Sequence, residues 1–556
     1  MELVSQHVKG IMEECKVRAR DAGLCFDNET LEYIVTNRDM IDLSPKIMIP
    51  TLYDYWVHDV RVLSGKGMYE AYPSNPYETV INTRPAISFY NDNNPDWLNV
   101  MIFYHVLGHI DFFQNNLFYK NTWDVDLTGQ ALADKRLIAK LRSEKGRLVD
   151  YVIEFSRGID NLVGYYREIN HIISKENQPQ ANGGQVNGGQ VDKVDYYFDV
   201  FLQRLKGVSH HTYLKEITRY NESRKTKIDF FEPIIGKYPE FEELYRQAKA
   251  SDTPDELDVM EYIIQHSPFL KLDENKWMKT IIQIVRNTSL YFQPQIRTKI
   301  MNEGWASFWH EYLFMRDDRI CGHEADFAKV NAAVTAMPKV GLNPYALGMR
   351  LFQHIEQMED KGCYSFDYYF QKDEIKKQKY NTHKKSGGPY IFKIRENMND
   401  FTFINRYIDQ EFLTKHHLFV SGKRFNQERV SWEYYIKSKR AEDYKQMVID
   451  TLYHPPEIRV DTKNSVKGVL SLNHLFEDKP LKRDFIENTM IGIEYLWGGP
   501  VHLETSEPLA DVKKSTHYSN FWDPLVPTPK DPEPQKIEWK RMRYVMENRK
   551  LHKREL

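Results

Sequence analysis

Residues 93–116, Asn-Asn-Pro-Asp-Trp-Leu-Asn-Val-Met-Ile-Phe-Tyr-His-Val-Leu-Gly-His-Ile-Asp-Phe-Phe-Gln-Asn-Asn, decide how this chain is read. Asn93-Asn94-Pro95-Asp96 is a turn and helix-start signal. The apolar run after it predicts a helix from about Trp97 to Tyr119. His105 and His109 are four residues apart, so both imidazoles share one face, one turn apart. That spacing suits two ligands of one metal ion, as in helical zinc sites. Two histidines packed in a core give the same pattern. Asn116, seven residues after His109, extends the stripe, whereas Asp111 lies about 200° round the helix from His109.

A second stretch works with the first: Asn302-Glu303-Gly304-Trp305-Ala306-Ser307-Phe308-Trp309-His310. Glu303 and His310 are seven residues apart and share a helical face. So apolar a helix is expected to be buried, and a buried carboxylate is costly unless paired or metal-bound. A Glu-His or Glu-Arg pair is the plain solution. Together, however, His105, His109 and Glu303 supply a His₂Glu set that leaves a fourth position open, the pattern of a catalytic zinc site. Such an ion lowers the pKa of bound water toward about 7 and polarises a carbonyl. The same set suits non-haem Fe(II). Asp111, Asn116 and Asn302 are expected to support the ligands from behind.

The pair resembles the zinc peptidases of the gluzincin type, whose metal-binding Glu sits in a similar helix. Those enzymes place a general-base Glu directly after the first His. Here that position is Val106, so a base has to come from elsewhere, with Glu78, His310 and Glu311 as candidates. In a hydrolytic scheme His310 stabilises an oxyanion or shuttles a proton, and Glu78 serves as base.

The rest of the chain reads as α+β. Residues 1–50 read as helical segments, 77–83 as a strand, and 125–175 as long helices. Residues 176–192 repeat Asn-Gly-Gly-Gln-Val and read as a flexible surface insert. Helical periodicity returns from 194 to about 376, and polar residues 377–400 read as a loop or domain boundary. Strand-like 417–437, a helix at 440–453, strands at 456–461 and 467–475, a helix at 480–497 and a strand at 501–505 give the order β-α-β-β-α-β of a ferredoxin-like domain. The expected domains are therefore a mainly helical core over 1–400, a smaller ferredoxin-like domain over 410–508, and a tail over 509–556. In that tail, 523–534 holds five prolines and reads as a linker, and 536–556, with eight Lys/Arg against three Glu, reads as a basic helix.

The chain has 556 residues, 41% of them hydrophobic and 13% aromatic, enough for a large core. Net charge is -3, from 76 basic and 79 acidic residues, a balance that argues against a nucleic-acid partner. Mean hydropathy is -0.62, and no run of about 18 apolar residues predicts a spanning helix. Residues 1–20 lack the apolar segment of a cleaved secretion signal. Cys15, Cys25, Cys321 and Cys363 form no CxxC pair, which fits a reduced setting. Walker, dinucleotide-binding and G-x-S-x-G motifs are absent from the sequence.

At these motifs the chain resembles the SpoVR-like (stage V sporulation protein R) family. The resemblance rests on Tyr77–Thr83, His105–Asn116, Tyr291-Phe292-Gln293-Pro294-Gln295, Asn302–His310, Asn343-Pro344-Tyr345-Ala346-Leu347-Gly348, Phe401 to Tyr407, and Leu496 to Leu503, in family order over about residues 50–505. It implies a cytoplasmic protein connected with spore cortex formation. It also implies partnership with a PrkA-type serine protein kinase and a von Willebrand factor A-like protein. Two expectations follow: a zinc (or iron) hydrolase of peptide or peptidoglycan-type amide bonds, or a non-catalytic, metal-stabilised adaptor working with those partners.

Overall fold

The computed structural model describes residues 2–36, 79–164, 193–245, 257–508 and 539–556, apart from short stretches within them. The architecture is α+β and mainly helical, with most strands gathered at the two ends of the chain. The insert at 176–192 and the proline-rich segment 523–534 lie outside the described residues.

The N-terminal part is not purely helical as expected. Helix Gln6–Asp21 is followed by strand Thr30–Val35, whose Thr-Leu-Glu-Tyr-Ile-Val run is rich in β-branched and aromatic residues. That strand pairs in parallel with Ala86–Asn91. Thr79–Ile81 and Glu2–Leu3 complete a four-stranded sheet at its two edges. Strand Ala86–Asn91 then hands the chain through the Asn93–Pro95 turn into the helix Asp96–Asn115, hereafter the histidine helix.

Fifteen of the twenty residues of the histidine helix are buried. A helix apolar on every side must lie inside the protein. Helix Lys299–Phe314, the glutamate helix, packs directly on it and is itself backed by helix Pro344–Asp360. Small residues set the close approach. A Cβ on Gly108 would fall 2.7 Å from the Ala306 Cα, and one on Gly304 would fall 2.3 Å from the Gly348 carbonyl carbon. These contacts bring the backbones together where the ligand candidates sit.

The polar stretch 377–400, expected to be a loop or domain boundary, is partly helical. It contains the helix Gly387–Asn397, which packs on Pro344–Asp360 and on the histidine helix within the first core. The Gly387-Gly388-Pro389 sequence opens this helix. The helix Ala441–Thr451 also belongs to that core, through Tyr444 and Val448. A second core joins helices Leu127–Lys145, Leu148–Arg157, Val259–His266 and Lys276–Arg297 to the C-terminal sheet. A third, aromatic cluster centres on Tyr197, Phe201, Phe230 and Phe241.

The C-terminal sheet departs from the expected ferredoxin-like order. Residues 417–437 form a separate hairpin, Val420–Asn426 with Ser431–Ser438, exposed over most of its length. Lys423 and Arg424 point to opposite faces, so neither face suits a buried central strand. The main sheet runs Lys550–Glu555, Trp539–Glu547, Val501–Pro508, Leu470–His474, Ile458–Val460. Among the described residues its only parallel pair, Leu470–His474 with Val501–Pro508, is joined through helix Arg483–Trp497.

Where a basic helix was expected over 536–556, the described residues 539–556 form a β-hairpin. Trp539, Met542 and Val545 suggest a spacing of three, but Met542, Tyr544 and Met546 are the buried residues, and they alternate. Period two is the strand period. Asn548 and Arg549 both have positive φ, 52° and 58°, and close the two-residue turn that this hairpin requires. Among the described residues no helix is long and apolar enough to cross a membrane.

Candidate metal centre

The two helices bring His105, His109 and Glu303 together from positions about 200 residues apart in sequence. One donor atom from each lies within 4.8 Å of the others. Glu303 Oε2 stands 3.6 Å from His109 Nε2 and 4.0 Å from His105 Nε2. A tetrahedral ion holding ligands about 2 Å away spaces them roughly 3.4 Å apart, so small side-chain rotations close the set. Both histidines are buried, and Glu303 is nearly so. Glu303 Oε2 is a buried carboxylate oxygen with no hydrogen-bond donor on it. A cation between it and the two imidazoles would satisfy it, so these residues fit a divalent metal ion.

Each imidazole is held by its other nitrogen. His109 Nδ1 lies 2.9 Å from Asn302 Oδ1, and the ring stacks on Phe113. His105 Nδ1 lies 2.8 Å from His310 Nδ1, and its ring stacks on Tyr345. His310 Nε2 lies 2.9 Å from Asn331 Oδ1, and Asn331 Nδ2 donates to Glu311 Oε2 at 2.6 Å. Asn302 thus contacts the His109 ring at the nitrogen opposite the one nearest Glu303. His310 stands behind His105, away from Glu303.

Asp111 and Asn116 are placed differently from expectation. Asp111 is wholly buried and faces away from the ligand cluster. It accepts from the Cys25 backbone N–H at 2.7 Å and from Trp305 Nε1 at 2.8 Å, with Arg395 Nε at 3.2 Å. Burial pushes its carboxyl up to about 6, although the arginine and the two donors pull the other way. Asn116 is beyond the last helical turn. Its extended backbone caps the histidine helix, and Nδ2 donates to the Arg395 and Met398 carbonyls. A face that holds for two turns ends where the helix ends. Glu78 lies outside the described residues.

Two supports were not read from the sequence. Asp400 caps the glutamate helix, accepting from the Ile300 and Met301 N–H groups at 2.8 and 2.9 Å. Tyr345 enters through the Asn343-Pro344 helix start, where Asn343 Oδ1 accepts from the Tyr345 and Ala346 N–H groups as a cap. The stacking of Tyr345 on His105 was not read from the sequence. Its presence in a motif shared with the resembled family was the available signal.

A mainly helical protein with a buried His₂-carboxylate cluster is the class that this fold and site define. The chain belongs to the SpoVR-like protein family, whose pattern matches residues 2–454. It is 22% identical over 350 residues to YcgB of Escherichia coli (strain K12), a protein described as uncharacterized, and the match spans 61% of each chain. No solved structure matches. The three ligand candidates, Asn302, His310 and Asn331 all fall within the family span. Residues 496–503, expected to share in the resemblance, fall beyond it, as do all five described strands of the C-terminal sheet.

Proposed function

We propose that this SpoVR-like protein holds a divalent transition-metal ion on His105, His109 and Glu303 and hydrolyses an amide bond there, in a gluzincin-like manner. One observation carries the proposal: three ligand atoms from two closely packed helices converge within 4.8 Å, the carboxylate oxygen buried without a donor. When bound, the ion supplies a Lewis acid and an acidified water. Zinc fits the donor set, and Fe(II) fits it as well.

The chain's own residues hold this arrangement rather than move protons through it. Asn302 and His310 orient the two imidazoles. Glu311 is engaged with Asn331, and His310 with His105, so neither stands ready as a base. Glu78 is the remaining candidate for that role. The substrate class, a peptide or peptidoglycan-type amide, follows from the family's connection with the spore cortex.

Val106 favours a second reading. It occupies the position where gluzincins carry their base, and it is fully buried. Without a base, the ion would clamp the histidine helix to the glutamate helix in a non-catalytic adaptor. Such an adaptor would work with a PrkA-type serine kinase and a von Willebrand factor A-like partner in the cytoplasm.

The deciding experiment is elemental mass spectrometry on wild type and on a His105→Ala/His109→Ala variant of matched fold, followed by amide-substrate screens. Stoichiometric zinc or iron that disappears in the variant, with turnover lost at Glu78→Gln while metal is retained, supports the hydrolase. Metal without turnover on any peptide or muropeptide amide leaves the adaptor. No metal after reconstitution removes both.

A further inference from the structure

The chain of contacts behind His105 has a direction, set by one carboxylate. Glu311 Oε2 can only accept, and Asn331 presents its amide nitrogen to it at 2.6 Å. This fixes the amide, so Asn331 Oδ1 is the atom facing His310 Nε2 at 2.9 Å. An amide oxygen accepts, so His310 carries its proton on Nε2. A neutral His310 then has a lone pair on Nδ1, which lies 2.8 Å from His105 Nδ1. Two lone pairs at that distance repel, so His105 must donate from Nδ1. Its Nε2 is left with the lone pair, and this is the atom 4.0 Å from Glu303 Oε2.

We propose that Asn331 and Glu311 are positioning residues that hold His105 as its Nδ1–H tautomer, so that a ligand-competent Nε2 faces Glu303. The role deepens the metal-centre reading and rests on it for its purpose, though not for its chemistry. A tautomer set in advance matters because metal binding to the opposite tautomer would first require moving a proton. His109 needs no such relay, because Asn302 Oδ1 accepts directly from its Nδ1–H. The two ligands on one helix are thus oriented by two unlike devices. Asn331 lies at the half-buried side of helix Glu324–Thr335, at the rim of the core that encloses His310.

The test uses metal-free full-length protein with ¹⁵N-labelled histidine, above the imidazole titration range. In wild type the His105 Nε2 resonance is expected in the unprotonated region. Asn331→Leu, which keeps the volume and removes the acceptor, is expected to shift His105 toward the Nε2–H form. Zinc affinity, measured by competition with a chromophoric chelator, is expected to fall about 10- to 100-fold. Asn331→Asp combined with Glu311→Gln restores an acceptor opposite His310 and is expected to return both readouts. An Nε2–H His105 in wild type overturns the proposal, as does an affinity loss in Asn331→Leu with no change of tautomer. A wild type that takes up no zinc but shows the expected tautomer change refutes the metal centre and supports the relay.

Discussion

Trp305 donates from its indole Nε1 to Asp111 Oδ2 at 2.8 Å, and each residue lies two positions after a ligand candidate, Glu303 and His109. The contact locks the two helices in register on the side away from the cluster. Arg395 closes the same carboxylate from a third helix. Asp111→Ala would leave the Arg395 guanidinium, only 2% exposed, with the half-exposed Glu396 carboxylate at 3.9 Å as its one remaining counter-charge among the described residues. Loss of a buried partner costs about 3–5 kcal/mol, and urea denaturation should show a loss of that size. Asp111→Leu combined with Arg395→Met should cost much less than the sum of the single changes. Additive losses would mean that the triad is not a coupled unit.

The close approach between the glutamate helix and helix Pro344–Asp360 makes a second prediction. Gly304→Ala places a methyl 2.3 Å from backbone of Gly348, where no flexible side chain can give way. Overpacking of this kind costs about 1–3 kcal/mol. Because Gly304 adjoins Glu303, the displaced backbone should also weaken zinc binding in the same variant. Gly322→Ala, on an open turn with positive φ, should lower stability without touching zinc affinity. Equal effects of the two variants on affinity would show that helix spacing does not position Glu303.

His105, His109 and Glu303 were legible because ligand spacing on an apolar helix is a local signal. Their meeting in space was not local, and only analogy supplied it. The glycines that permit the meeting carry no chemistry in sequence, so Gly108 and Gly304 read as ordinary helix positions. Asn331 is 21 residues from His310 on a different helix, beyond the reach of any periodicity. Asn116 was misread by extending the helical face one step past the helix end. The tail was misread because a short basic segment supports both a spacing of three and a spacing of two, and only pairing with Val501–Pro508 selects the second.

Metal removal supplies a third prediction. An ion that binds the folded chain stabilises it by about 2.7 kcal/mol when free metal is a hundredfold above Kd. Wild type stripped with a chelator should therefore melt at lower temperature and recover on adding zinc. His109→Ala and Glu303→Gln should melt like the stripped protein and gain nothing from zinc. A zinc-dependent shift that survives in both variants would place the ion elsewhere.

Asp400 makes the stability of the glutamate helix depend on pH. Burial is the dominant influence and pushes its carboxyl from 3.8 up to about 7, against the Ile300 and Met301 N–H groups that favour the charged form. A carboxyl whose folded pKa is raised stabilises the fold most when neutral. That contribution is fully present below about pH 3.8, diminishes as pH rises, and is lost above about 7. Asp400→Asn cannot ionise and keeps one acceptor oxygen where the carboxylate offers two, so it loses one of the two N–H bonds at a cost that does not vary with pH. Denaturant unfolding between those limits should show the wild type losing stability relative to Asp400→Asn as pH rises, with the difference levelling off above about 7. Parallel pH profiles for the two proteins would mean that Asp400 caps the helix as an ordinary charged carboxylate.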